Sequence, residues 1–251
     1  MTLPPELRPL AEDPARSAIL LDFDGTLAEI VARPELSHPV EGAPAVLRDA
    51  CERFGAVVVI SGRPTDDVRD LVGVEGVRYL GLYGLESQPE ARRVPEAVHA
   101  IVRDAAIRVT GAWVEDKGGS VAVHYRQADD ADRARAELLA AIRAAVPDGY
   151  EAIEGKMVVE VVPAGRPRKG GAVGRVVGDL DPSAVLYAGD DLADLEAFEE
   201  LAALDADGVH AVRVAVTGPE TPSALVEAAD LTVDGPAGLL ELLRALLEAA
   251  A

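Results

Sequence analysis

Apolar and polar stretches divide the chain into three parts. In the first, short apolar runs end in polar residues and glycine. Ser17-Ala18-Ile19-Leu20-Leu21-Asp22-Phe23 reads as a buried strand with acidic residues at its carboxyl end. Residues 43–54 carry a helical pattern. Ala56 to Ile60 is a second buried strand, and Pro64 suits the first turn of a helix running to about Val72. Val77 to Leu82 is a third strand candidate. The pattern then changes. Residues 95–108 read as a helix, and Trp113 to Asp116 with Ser120 to Tyr125 as a hairpin around Lys117-Gly118-Gly119. An alanine-rich helix covers 130–145. A second hairpin joins Tyr150–Ile153 to Met157–Val162 around Glu154-Gly155-Lys156.

After Pro167 the alternation of strand and helix returns. A helix at 170–178 precedes a strand at Ala184 to Ala188 and a helix at 192–203. Val209 to Val216 and Asp230 to Val233 are further strands, and a leucine-rich helix at 237–249 closes the chain. The expected fold is α/β. Residues 1–87 and 166–251 form a doubly wound parallel-sheet core, interrupted by an inserted α+β cap domain at 88–165 with a mainly antiparallel sheet.

Composition narrows the function classes. The 251 residues are 49% hydrophobic, which supports a packed interior. A formal net charge of −20 excludes a nucleic-acid partner, because a phosphate backbone needs a basic surface. A phosphorylated small molecule remains open, since a divalent cation reverses the local sign. The single cysteine, Cys51, allows no disulfide within the chain and fits a reducing compartment. Val57 stands six positions after it in place of arginine, so there is no thiolate phosphate loop. Met1 to Pro14 has no signal-peptide pattern, and no apolar run approaches the roughly 18–20 residues of a membrane span. A cytoplasmic protein without a membrane partner is expected. Gly-x-Ser-x-Gly and Walker A patterns are absent, and His38, His99, His124 and His210 show no metal-ligand spacing.

Ligands of open parallel sheets bind beyond the carboxyl ends of the strands. Three polar clusters fall there: Asp22-x-Asp24, Ser61, and Gly189-Asp190-Asp191-x-x-Asp194. Lys169, at a helix start, reaches the same crevice. Each has a structural reading alone: a strand-ending turn, a helix cap, a dipole-stabilised N-terminus, a solvated lysine. Together, in this order, they form one chemical set. Asp22, the carbonyl of Asp24 and Asp190 are hard oxygen ligands suited to Mg²⁺. Asp22 can attack phosphorus, and Asp24 can give a proton to the leaving oxygen and then activate water. Ser61 and Lys169 can hold phosphate oxygens.

Asp22-Phe23-Asp24-Gly25-Thr26-Leu27, Ser61-Gly62-Arg63, Lys169-Gly170 and Gly189-Asp190-Asp191-x-x-Asp194 resemble the four motifs of the haloacid dehalogenase superfamily. Within it, the inserted segment resembles the type IIB cap of trehalose-6-phosphate phosphatases. It does so through Glu115-Asp116-Lys117, His124-Tyr125-Arg126 and Gly155-Lys156-Met157-Val158-Val159-Glu160-Val161-Val162-Pro163. The resemblance runs from about residue 17 to 235. It implies Asp22 as nucleophile, Asp24 as general acid and base, and Ser61 and Lys169 on phosphate. It implies a magnesium site of Asp22, Asp24 and Asp190, with Asp191 and Asp194 in support. Substrate contacts fall to Thr26, Gly62, Arg63, Arg126, Lys156 and Glu160, the last two on sugar hydroxyls.

Two segments depart from the family pattern. Ala193-Asp194-Leu195 replaces Thr-Asp-Glu, and Tyr83 stands where a histidine often precedes glycine. The implied activity is hydrolysis of trehalose 6-phosphate. Another sugar phosphate, such as sucrose 6-phosphate, a glycosyl phosphoglycerate or a hexose phosphate, and a silent regulatory protein of the same fold stay open beside it.

Overall fold

The computed structural model describes residues 2–31, 33–87, 93–165 and 168–250. The chain divides into two units, Met1–Gly84 with Pro167–Ala251, and Leu85–Arg166. Residue 88, where the sequence reading starts the insertion, and residue 166, where it resumes the core, lie outside the described residues. The first unit opens with α1 (Arg8–Glu12), β1 (Ser17–Leu21), α2 (Ala43–Arg53), β2 (Ala56–Ile60), α3 (Thr65–Val72) and β3 (Arg78–Leu80). The second unit is α4 (Glu96–Ala106), β4 (Trp113–Asp116), β5 (Val121–His124), α5 (Ala131–Ala145), β6 (Tyr150–Gly155) and β7 (Val158–Pro163). The chain then completes the first unit with α6 (Lys169–Leu180), β8 (Ala184–Gly189), α7 (Leu192–Ala206), β9 (His210–Thr217), α8 (Ser223–Ala228), β10 (Leu231–Asp234) and α9 (Gly235–Ala249).

The first unit's sheet runs β10-β9-β8-β1-β2-β3, and every pairing is parallel. Alternate residues of each strand face opposite helical layers. Ile19 and Leu21 of β1 join Val57, Val59, Leu186 and Val214 against α2 and α9. Ala18 and Leu20 join Val58, Val185 and Tyr187 against α6 and α7. Covering on both faces is why β1 and β8 are buried throughout and largely apolar rather than alternating. β1 is the switch point. From it the chain builds one half of the sheet toward β3 and later the other half toward β10. The crevice outside the carboxyl ends of β1 and its neighbours is where an open sheet of this kind takes a ligand.

The second unit is a four-stranded antiparallel sheet in the order β4-β5-β7-β6. Val121, Val123, Val159 and Val161 point into a core with Val98 and Val102 of α4 and Leu138 and Ile142 of α5. By strand alternation Trp113, Glu115, His124 and Glu160 occupy the opposite face.

Some elements differ from the sequence reading. Pro64 stands at the N-cap of α3 with ψ 147°, one position outside the helix, because proline fixes φ and leaves ψ free to stay extended. The β6–β7 hairpin is tighter than expected. Pairing continues through Glu154↔Val159 and Gly155↔Val158, so Lys156 and Met157 alone make the connection, with Met157 at φ 57°. The short helices α1 and α8 carry too few turns for an apolar period to show in sequence.

Candidate active site

β1 delivers Asp22 at its carboxyl end, where the Asp22 N–H donates to the Ala188 carbonyl of β8 at 2.9 Å. The chain then folds sharply. The Thr26, Leu27 and Ala28 N–H groups all donate to the Phe23 carbonyl, at 3.3, 2.9 and 3.0 Å. Gly25 has φ 87°, and a Cβ there would lie 2.1 Å from Asp190 Oδ2. Only glycine lets the loop after β1 approach the end of β8 so closely. Gly189 serves the same end, since a Cβ there would meet Asp194 Cγ at 2.1 Å.

These approaches bring Asp22, Asp190 and Asp194 together, with a ligand oxygen from each within 4.8 Å of the others and all three residues buried. Lys169, the first residue of α6 and also buried, bridges two of them. Its Nζ donates to Asp22 Oδ1 at 2.8 Å and to Asp194 Oδ1 at 2.6 Å. An ammonium has three donors, so one N–H remains for a ligand oxygen. Asp194 accepts four hydrogen bonds: Lys169 and Tyr187 Oη (2.5 Å) on Oδ1, and the Asp190 and Asp191 N–H groups (both 2.9 Å) on Oδ2. Its lone-pair sites are filled, so it holds the network rather than offering an oxygen. Asp22 Oδ2, by contrast, accepts no hydrogen bond among the described residues.

The charge balance is uneven. Burial pushes the Asp22 carboxyl well above the usual carboxylate range against the pull of Lys169, and Asp194, Asp190 and Asp191 add to the rise. Burial and then Asp194 push Asp191 up to about 7. Burial also raises Asp194, but Lys169 and the hydrogen bonds outweigh it and hold that carboxyl below its usual range. Lys169 loses from burial and gains more from Asp194 and Asp22, so its ammonium is held well above the ordinary range. Burial and Asp194 raise the Tyr187 phenol well above its usual value. Several carboxylates thus share one ammonium out of water. A donor set of hard oxygens short of positive charge fits a divalent cation. Asp22 Oδ2 is a free oxygen for it, and Asp190 stands in the same group. Asp191 caps α7, its Oδ1 accepting from the Ala193 N–H at 2.8 Å in a capping box with Asp194.

The carboxylate of Asp24 lies apart from this group. Arg63 grips it in a fork, Nε to Oδ2 and NH2 to Oδ1, both at 2.7 Å, and Ser37 Oγ donates to Oδ1 at 3.2 Å. Ser61 is buried, and its Oγ accepts from the Arg63 N–H at 3.1 Å, so its own hydrogen stays available to a ligand oxygen. Thr26 Oγ1 is buried without a hydrogen-bond partner among the described residues. Gly62 is where the Tyr83 phenol comes close; a Cβ there would lie 2.9 Å from Tyr83 Oη. The Tyr83 ring centroid is 5.8 Å from Lys169 Nζ.

In the second unit Glu160 is buried. It accepts from Ser120 Oγ and forms an ion pair with Lys117 Nζ at 3.7 Å. Lys156 is half-buried in the β6–β7 connection and Arg126 half-buried just after β5. His124 Nε2 lies 2.7 Å from Glu115 Oε2, and the His124 ring stacks on Trp113 at 4.1 Å between centroids. Sequence reasoning missed Tyr187, Ser37 and Ser120, and named Lys117 only within the Glu115-Asp116-Lys117 motif. Of the three missed, Tyr187 alone left a signal, one hydroxyl in an otherwise apolar strand.

A family model described as trehalose-phosphatase matches residues 20–230. The chain is 37% identical to an uncharacterized glycosyl hydrolase of Mycobacterium tuberculosis over 73% of this chain and 15% of that one. It is 35% identical to a trehalose-phosphate phosphatase of Mycobacterium marinum over 73% of this chain and 51% of the relative. The chain spans about half the length of that relative and a smaller share of the glycosyl hydrolase. The fold is similar to the C-terminal domain of a C. albicans trehalose-6-phosphate phosphatase, with a TM-score of 0.83 and 23% identity, covering 98% of each chain. No helix among the described residues is long and apolar enough to cross a membrane.

Proposed function

The chain belongs to the trehalose-phosphatase family, and on that premise we propose that it hydrolyses trehalose 6-phosphate to trehalose and phosphate through an aspartyl-phosphate on Asp22. One observation carries the reading: Asp22 is buried, anchored through Oδ1 by Lys169, and bare at Oδ2. That is the state of a nucleophile, with one oxygen fixed and the other free to bond to phosphorus. The remaining Lys169 N–H and the Ser61 hydroxyl take phosphate oxygens and offset the charge of an anion attacking an anion. Asp24 gives its proton to the leaving sugar oxygen and takes one from water in the second step. Asp194 and Tyr187 hold Lys169 in place, and Asp191 caps the helix behind them. Asp22, the Asp24 carbonyl and Asp190 would hold Mg²⁺, which supplies the positive charge that the carboxylates lack. In the second unit, Lys156, Glu160 and Arg126 read the sugar.

Phosphate release from a panel of trehalose 6-phosphate, sucrose 6-phosphate and glucose 6-phosphate, with Mg²⁺ and with EDTA, tests this. Trehalose 6-phosphate should be turned over fastest and only with the metal. Faster release from another sugar phosphate would reassign the substrate and keep the chemistry. No release from any would leave a silent member of the fold.

A further inference from the structure

We infer that Arg63 is the positioning residue for proton transfer, and that it makes Oδ2 of Asp24 the oxygen that exchanges the proton. The inference rests on the role proposed above for Asp24. Asp24 stands on the turn after β1 with its side chain 38% exposed, so by itself it would sample several rotamers. Arg63 removes that freedom. The fork binds both carboxylate oxygens at 2.7 Å. The guanidinium is itself fixed: NH1 donates to the Pro34 carbonyl at 3.0 Å, its carbon lies 5.3 Å from the Phe23 ring centroid, and the side chain is only 13% exposed. The backbone is tied as well. The Arg63 N–H donates to Ser61 Oγ, and the Arg63 carbonyl accepts from the Leu82 N–H at 2.9 Å. One residue therefore couples the loop after β1, the 34–37 segment and the loop after β2. This is a different task from the substrate contact that the resemblance assigns to Arg63.

The lone pairs then choose the atom. Each carboxylate oxygen has two acceptor sites. On Oδ1 one site takes Arg63 and the other Ser37 Oγ. On Oδ2 one takes Arg63 Nε, and no second donor is present among the described residues. Oδ2 keeps one site for a proton. In the first half-reaction Asp22 bonds to phosphorus as the bond from phosphorus to the sugar oxygen breaks, and the proton on Oδ2 passes to that oxygen. In the second, water bonds to phosphorus, its proton passes to Oδ2, and the bond from phosphorus to Asp22 breaks.

The test separates leaving groups. A sugar alkoxide needs a proton to leave; 2,4-dinitrophenolate, a weak base, does not. First-turnover rates in rapid-quench experiments are compared for the sugar phosphate that wild type turns over fastest and for 2,4-dinitrophenyl phosphate. In Arg63→Lys, which keeps the charge and loses the fork, the sugar-to-aryl rate ratio should fall about 10–100-fold, the cost of misplacing a catalytic group by about 1 Å. In Asp24→Asn it should fall by about 10²–10⁴-fold, the scale of general acid catalysis. Ser37→Ala should move it in the same direction by less. A ratio that falls in Asp24→Asn and holds in Arg63→Lys overturns the inference and leaves the proposed role of Asp24 standing. A ratio that holds in both overturns the two together. Should circular dichroism show Arg63→Lys misfolded, Ser37→Ala decides, and an unchanged ratio there counts against the inference.

Discussion

In the first unit the charged groups stand at the carboxyl ends of parallel strands and hold one another. Lys169 serves two carboxylates, Asp194 accepts four hydrogen bonds, and Tyr187 backs the whole from inside the sheet. In the second unit the charged groups stand on one face of an antiparallel sheet and are held in small sets, Glu115 with His124 and Glu160 with Lys117 and Ser120. A strand end lets consecutive residues converge on one point. A sheet face spreads them two residues apart along a strand, and only register brings neighbours together. The first arrangement suits chemistry, which needs several groups on one atom. The second suits recognition of a ligand with hydroxyls spread over its surface.

The sharpest break in the comparison is at the nucleophile. Asp22→Asn keeps the shape and removes the attacking charge, so turnover should fall at least about 10⁴-fold, as loss of a catalytic nucleophile does. Steady-state phosphate release measures it, and ready turnover by the purified variant would sink the mechanism. Next is the network itself. Lys169→Met takes away the one ammonium shared by Asp22 and Asp194. Breaking a buried pair from one side costs about 3–5 kcal/mol, so urea denaturation should show a loss of that order. Lys117→Met in the second unit should cost less, because Lys117 meets one carboxylate at 3.7 Å and Ser120 still serves it. Equal losses would mean that the two units hold charge in the same way.

The same contrast explains what the sequence reveals. Asp22, Asp24, Ser61 and Asp190 were readable because each follows an apolar run that ends at a sheet's carboxyl edge, so type and position are local facts. β2 and the doubly wound order followed from the same runs. Partnerships were not readable. That Arg63 closes on Asp24, 39 positions away, or that Ser37 helps it, depends on how two loops meet. Tyr187 could be read as a core residue, and it is one, but its hydroxyl reaches Asp194 because β8 ends where α7 begins. In the second unit the strands were readable from alternation. The partner of Glu160 was not, because the pairing of β5 with β7 sets it and places Glu160 opposite Ala122, near Ser120 and Lys117.

The recognition half of the comparison can be sharpened with Glu160→Gln and Lys156→Ala. A hydrogen bond to a charged group contributes about 1.5–3 kcal/mol. Each variant should therefore lower kcat/KM for trehalose 6-phosphate by about 10–100-fold relative to p-nitrophenyl phosphate, at about 1.4 kcal/mol per tenfold. Gln at 160 can still accept from Ser120, so the sheet is kept. A parallel fall for both substrates would make these residues structural. No change in the ratio would remove the second unit from sugar recognition.

The smallest effect belongs to the Glu115–His124 pair, which tests whether charge on the sheet face also supports the fold. Burial raises the Glu115 carboxyl, but the hydrogen bond from His124 and the nearby Lys117 outweigh it, so the folded-state pKa is lowered from 4.5. A carboxyl depressed by folding adds stability above its unfolded pKa, and that stability is lost as pH falls through the folded pKa. The Glu115 side chain is 25% exposed, so solvent screening keeps the contribution at or below about 1 kcal/mol. For a chain of this length that is at most about 2–4 °C in Tm. Wild type should therefore melt slightly above Glu115→Gln at pH 6. The gap should hold down to about pH 4.5 and close below it, and scanning calorimetry at half-unit steps from pH 6 to pH 3 would follow it. A gap that widens toward low pH has the wrong sign for a depressed carboxylate and would mean that the ionised form is not what the sheet stabilises. A gap that is flat across the range would assign the effect of Glu115 to its contact with His124 as a neutral hydrogen-bond partner rather than to its charge.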